Sequence, residues 1–285
     1  ASGALLAALL REVLFRQDDP LVMVAVALLL WLFASLPLDI STTRIAVALV
    51  VTVVLGYVSY ALETASLPGM VTGVFLGLLT IVLGDYGWFA MLIAFFGIGG
   101  LSSKFRFDEK LDRGIAEANE GARGTGNVLA NSLVALVAVL AWAAGPDLGL
   151  PRHLFFFAFA GAVAAALSDT LSSEIGGLYD DPRLITSFEV VDPGTDGAIT
   201  WQGQVAGLVG AALIAGIAYA LFGTVGPLGA VLIVLAGLVG MTVDSLLGAT
   251  IEGRLLGNQG VNFMATLGAA IAGGVFAVAA GLVTP

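Results

Sequence analysis

Runs of almost uninterrupted apolar residues, each long enough to cross a bilayer, recur along the whole chain. No water inside a bilayer satisfies backbone N–H and C=O groups, so only helices and closed barrels span it. A spanning helix needs about 20 apolar residues, whereas barrel strands are shorter and alternate polar with apolar side chains. The pattern therefore predicts an all-α, polytopic integral membrane protein of about nine spans. They fall over 20–37, 44–62, 68–84, 86–101, 127–145, 152–168, 204–222, 227–248 and 262–282. With 59% hydrophobic and 11% charged residues, an ordinary soluble domain is excluded.

The flanks of these runs orient the chain. Arg11, Glu12, Arg16, Asp18 and Asp19 precede the first run, a pattern unlike a cleavable signal, and residues 4–16 suit a short interfacial helix. With the N-terminus inside, the inner segments hold Arg11, Arg16, Lys104, Arg106, Lys110, Arg113, Arg123, Arg183 and Arg254, and the outer ones only Arg44 and Arg152. Nine against two fits the positive-inside rule and predicts a cytoplasmic N-terminus. The long polar connections 102–126, 169–203 and 249–261 then share the cytoplasmic face. The chain divides into 1–101, about four N-terminal spans, and 102–285, a core carrying the polar loops. Cysteine is absent and His153 is the single histidine, so thiol and multi-histidine metal chemistry are excluded. The net charge of −10 with two lysines is the balance a salt-rich cytoplasm favours, which suggests an archaeal, halophile-like source. Nothing in it points to nucleic acid as a partner.

Against this background the acidic residues stand out. Asp169 and Glu174 in SDTLSSEIG (168–176) and Asp244 in VDSLLGATIEG (243–253) run directly off apolar stretches. A carboxylate at membrane depth is costly unless paired, hydrated or bound to a cation, so it marks a functional site. Carboxylates with neighbouring hydroxyls suit a hard cation, particularly Mg²⁺ held together with substrate phosphates. Asp and Ser beside Gly are also ordinary helix-end residues, but the two matched segments favour a shared centre. Asp169 and Glu174 lie about 140° apart on an ideal helix, so a helix ending near Ser172 is expected if both are to reach one site.

Three further segments supply partners. Gly194, Thr195, Asp196 and Gly197 form a loop able to wrap N–H groups around a phosphate, although Pro-Gly-Thr-Asp-Gly equally suits a plain turn. Lys104 and Arg123 flank spans within 104–131, where a phosphate would meet the membrane surface. The remaining charges of that stretch, Lys110 among them, read as a solvated amphipathic loop. Asn127 and Asn131 open one span and Asn258 and Asn262 another, each pair on one helix face. Matching Asp and Asn helices suggest an internal duplication within 127–282.

Taken in order, an E-x5-R-x3-NVLAN stretch, SDT-x2-SEIG, GTDGAI, VDSLLGAT-x-EG and a VNF span start resemble the integral membrane family that includes plant phytyl-phosphate kinase and vertebrate transmembrane protein 19. The resemblance covers roughly 100–285. It implies phosphoryl transfer from a nucleoside triphosphate, CTP in the plant activity, to an isoprenyl monophosphate such as a phytyl or geranylgeranyl phosphate. It implies metal binding by Asp169, Glu174 and Asp244, and nucleotide or phosphate contacts by Lys104, Arg123, Gly194, Thr195, Asp196 and Gly197. Asn127, Asn131 and Asn262 would line the same polar cavity. The expected enzyme is a Mg²⁺-dependent lipid kinase of the cell membrane, with its site facing the cytoplasm. A cytidylyltransferase making a CDP-lipid needs the same parts, and membrane-embedded acids also occur in secondary transporters.

Overall fold

The computed structural model describes residues 40–117, 121–149 and 151–283, so the run over 20–37 and the expected helix over 4–16 lie outside the described residues. Every apolar run from 44 onward is a helix. In chain order the elements are α1 (Thr42–Ala61), α2 (Leu67–Leu83), α3 (Tyr86–Lys104), α4 (Phe107–Asp112), α5 (Thr125–Leu148), α6 (Arg152–Gly176), β1 (Arg183–Leu184), β2 (Ala198–Ile199), α7 (Trp201–Leu221), α8 (Pro227–Thr250) and α9 (Asn258–Ala279). Among the described residues seven helices are long and apolar enough to span a bilayer, and α2 is a shorter apolar helix of 17 residues. The protein is an all-α polytopic membrane protein.

The helix ends follow local chemistry. Ser66 and Thr200 accept hydrogen bonds from the N–H groups of Gly69 and Gly203, capping α2 and α7. Asp85 caps α3 by accepting from Gly87 and Trp88, which explains the polar break inside the 68–101 region. Arg44 donates to the carbonyls of Ile81 and Gly84, so one cation satisfies the C-terminal end of α2.

Helix α6 is the axis of the bundle, packed by α3, α5, α7, α8 and α9. It is buried nearly all round from Phe156 to Ser168, as a stretch so rich in alanine permits. Lipid tails are as apolar as the helices, so association in the bilayer rests on close van der Waals fit rather than on a hydrophobic drive. Small residues supply that fit. A Cβ placed on Gly240 would lie 2.4 Å from Ala165 Cβ, and one on Gly273 would lie 2.5 Å from the Phe157 carbonyl. The first end of α6 meets an aromatic cluster, with Trp88 packed 4.7 Å from Phe159 and 5.2 Å from Phe156 between ring centroids. Its last turns carry Asp169 and Glu174 at the opposite, polar end of the bundle. Helix α1 is peripheral and packs on α2.

Candidate functional site

At that polar end the C-terminal turns of α6 and α8, the start of α9, and the loops after α4 and before β2 enclose a cavity of about 310 Å³. Asp169 and Glu174 come from α6, Asp244 from α8, and Gly194, Thr195, Asp196 and Gly197 from the loop. The two acidic segments and the glycine loop therefore meet, as their residue types suggested. The helix does not end near Ser172 as expected; α6 continues to Gly176. Both carboxylates still line the cavity, because it wraps around the end of the helix rather than facing one side of it.

The glycine loop is built from two successive turns. Thr195 N–H donates to the Asp192 carbonyl and Ala198 N–H to the Thr195 carbonyl. The third position of each turn is a glycine in the left-handed region, Gly194 at φ 84° and Gly197 at φ 76°, where a side chain strains the backbone. Gly197 is also pressed onto α8, since a Cβ there would stand 2.4 Å from Ala249 N and 2.5 Å from the Ser245 carbonyl. The pairing of Arg183–Leu184 with Ala198–Ile199 pins the far side. With Thr195 and Ala198 committed, the N–H groups of Gly194, Asp196 and Gly197 have no intramolecular acceptor among the described residues.

The charges fall into two sets. Asp169 and Asp244 both line the cavity, each within the other's field, and Glu252 and Asp196 add negative charge around Asp244. Asp244 Oδ1 is buried without a hydrogen-bond partner among the described residues. Among the described residues no group of three or more acidic or histidine side chains is gathered tightly enough to hold a metal alone. Outside the spans, burial and then Asp196 raise the Glu252 carboxyl above its ordinary range.

Glu174, expected with the metal ligands, is engaged elsewhere. Its Oε2 lies 2.5 Å from Lys110 Nζ, and the same ammonium donates to the Ser102 carbonyl at 2.8 Å. Lys110 is 1% exposed. It therefore does not belong to a solvated loop: the short helix α4 turns it inward, and it forms part of the cavity wall. The other two expected cations divide. Lys104 does not line the cavity; it approaches Glu63 Oε2 at 4.0 Å beside a separate polar surface. Arg123 lies behind the cavity, 5% exposed, with its guanidinium 5.0 Å over the Phe95 ring and Nη2 3.4 Å from Thr170 Oγ1. Burial lowers its pKa, while the fields of Glu117, Glu174 and Asp169 oppose that shift. Its backbone is tied to the α1–α2 connection, donating from N–H to the Thr64 carbonyl and accepting from Ser66 N–H.

The asparagines are mostly structural neighbours. Asn131 donates to the Asn127 carbonyl, and Asn262 meets Asn258 Oδ1 at 3.5 Å. Of these four, Asn258 lines the cavity and Asn127, Asn131 and Asn262 do not. Sequence reasoning also passed over Glu117, Ser245 and Glu252, which line it. Glu252 carried a readable signal, standing within the VDSLLGATIEG segment.

A profile of the integral membrane protein family DUF92 matches residues 50–270, most of the chain and all of this site. The chain belongs to that family. Relatives include an uncharacterized membrane protein of Methanocaldococcus jannaschii, 36% identical over 216 residues that cover 74% of this chain and 83% of the relative. An uncharacterized membrane protein of Synechocystis is 34% identical, covering 70% of this chain and 78% of its own length. The chloroplastic protein VTE6 of Arabidopsis thaliana is 30% identical over 190 residues, covering 66% of this chain and 57% of VTE6. No solved structure matches the chain.

Proposed function

We propose that this DUF92 protein is a polyprenyl-phosphate kinase. It transfers the γ-phosphoryl group of a nucleoside triphosphate, preferentially CTP, to an isoprenyl monophosphate of phytyl or geranylgeranyl type. The observation that carries the reading is the Asp169–Asp244 pair with its orphaned carboxylate oxygen, set beside a two-turn glycine loop at one polar end of the bundle. The resemblance to the family of a plant phytyl-phosphate kinase, and the match to VTE6, supply the acceptor class.

The residues fit a divalent cation. Two apposed carboxylates and a buried oxygen without a donor lack only positive charge, and Mg²⁺ normally completes its octahedron with water and phosphate oxygens rather than with a full protein cage. Asp169 and Asp244 would hold it, and the bound ion would neutralise the charge of the triphosphate. Glu174 serves instead to position Lys110.

Phosphoryl transfer demands positioning and charge stabilisation more than covalent chemistry. An oxygen of the isoprenyl monophosphate attacks the γ-phosphorus; the bond from that phosphorus to the β,γ-bridging oxygen breaks. The products are the isoprenyl diphosphate and the nucleoside diphosphate. The attacking oxygen is already largely deprotonated near neutrality, so no side chain has to remove a proton. The free N–H groups of Gly194, Asp196 and Gly197 orient phosphate oxygens, and Lys110 offsets their charge.

The site faces the cytoplasm, where nucleotide is available, in agreement with the distribution of Arg and Lys. Incubating purified protein with CTP, Mg²⁺ and phytyl or geranylgeranyl monophosphate should yield the diphosphate, and Asp169→Asn or Asp244→Asn should abolish it. Full turnover in both variants would remove the carboxylate pair from the chemistry. A CDP-lipid product would identify a cytidylyltransferase instead, and nucleotide-independent uptake into proteoliposomes would identify a transporter.

A further inference from the structure

A second cavity, of about 200 Å³, runs between α1, α2 and α3, in the part of the chain to which the proposed chemistry assigns nothing. Its wall is apolar in effect. The hydroxyls it contains are already spent on carbonyls of their own segment: Thr52 donates to Ala48, Ser59 to Gly56 and Thr64 to Ser59. From Leu101 to Phe89 along α3 the lining extends over about 18 Å by the helical rise. That is about the depth of one leaflet's hydrocarbon. Gly73 on α2 and Gly97 on α3 leave its channel open, since a Cβ on either would meet no atom of the described residues within 4 Å.

One end of this groove is closed by Arg123. Its Nε and Nη1 are buried without hydrogen-bond partners among the described residues. Gly99 makes room for the guanidinium, because a Cβ there would stand 2.7 Å from Nη2. Through Nη2 the same residue reaches Thr170, next to Asp169 on α6. Arg123 thus stands between the apolar groove and the acidic cavity, with unused donors for an anion.

We infer that the α1–α3 groove holds the hydrocarbon tail of the acceptor lipid, and that Arg123 binds its monophosphate at the boundary with the acidic cavity. The inference rests on the kinase reading for the identity of the lipid. A long apolar channel ending at a buried, unsatisfied guanidinium fits a single-chain isoprenoid with one anionic head. A free nucleotide has no use for the channel.

The test uses a photoreactive geranylgeranyl monophosphate bound to the full-length protein without nucleotide, with the labelled peptides identified by mass spectrometry. Label is expected in the peptides carrying residues 52–101 or 123–128, and should fall in Gly73→Leu and Gly97→Leu, which fill the channel. In turnover with CTP, each leucine should raise KM for geranylgeranyl monophosphate by about tenfold or more, the loss of roughly two buried methylenes. KM for the short dimethylallyl monophosphate should rise much less, and thermal unfolding in micelles checks that each variant is folded. Label mapping outside 52–101 and 123–128, or label displaced by phospholipid but not by unlabelled prenyl monophosphate, overturns the groove assignment even if the kinase activity is real. Label in the groove without phosphoryl transfer from any nucleotide sustains the groove and removes the kinase reading.

Discussion

Replacing Lys110 with Met should cost this protein far more stability than its position in a charge-rich connection suggests. Lys110 is 1% and Glu174 8% exposed, and their charged atoms are 2.5 Å apart. Even at an effective dielectric of about 20, unit charges some 4 Å apart attract by about 4 kcal/mol. Removing one partner of a buried pair typically costs about 3–5 kcal/mol, because the other charge is left dehydrated and unmatched. Lys110→Met leaves the Glu174 carboxylate in that state. Glu174→Gln is milder, at about 1–3 kcal/mol, since the ammonium keeps the Ser102 carbonyl at 2.8 Å. The double variant should recover much of the loss, giving a coupling of roughly 2 kcal/mol or more. Reversible unfolding in mixed micelles, titrated with a denaturing detergent, measures all four corners of the cycle. Small and equal single losses that simply add in the double variant would refute the buried pair.

Other outcomes follow from the same geometry. Asp244→Asn should lose at least about a hundredfold in turnover while its thermal midpoint stays level or rises, because the change relieves repulsion among neighbouring carboxylates at a group whose Oδ1 is buried without a hydrogen-bond partner among the described residues. Gly197→Ala forces a Cβ against Ala249 and Ser245 at φ 76°, and should cost at least about tenfold in turnover, with faster proteolysis at 192–198. Gly240→Val should lower stability by about 2 kcal/mol or more in the same micelle titration, since α6 and α8 would have to separate. Chelation should stop turnover, and added Mg²⁺ should restore it.

Much of this architecture is legible in the sequence because the bilayer admits so few solutions. Each apolar run from 44 onward is one helix. The meeting of Asp169, Asp244 and the Gly194–Gly197 loop was also legible, since acids beside apolar spans must find a common polar environment. What failed was reading side-chain direction from composition. Lys110 sits among seven other charged residues between 104 and 117, and nothing in that local pattern tells that α4 turns it under the end of α6. Its partner, Glu174, therefore carries no sign in the sequence that it pairs with Lys110 rather than with a metal ion. The groove was invisible for a different reason. Helices α1–α3 differ little from any apolar spans, and only packing shows that Gly73 and Gly97 face no other helix among the described residues.

The most direct measurement follows the label from CTP carrying distinguishable α- and γ-phosphates, in a reaction with purified protein and an isoprenyl monophosphate. The γ-label is expected in the terminal phosphate of an isoprenyl diphosphate and the α-label in CDP. Recovery of the α-label in the lipid with release of pyrophosphate, or no transfer to lipid from CTP or any other nucleoside triphosphate by a folded protein, would contradict it.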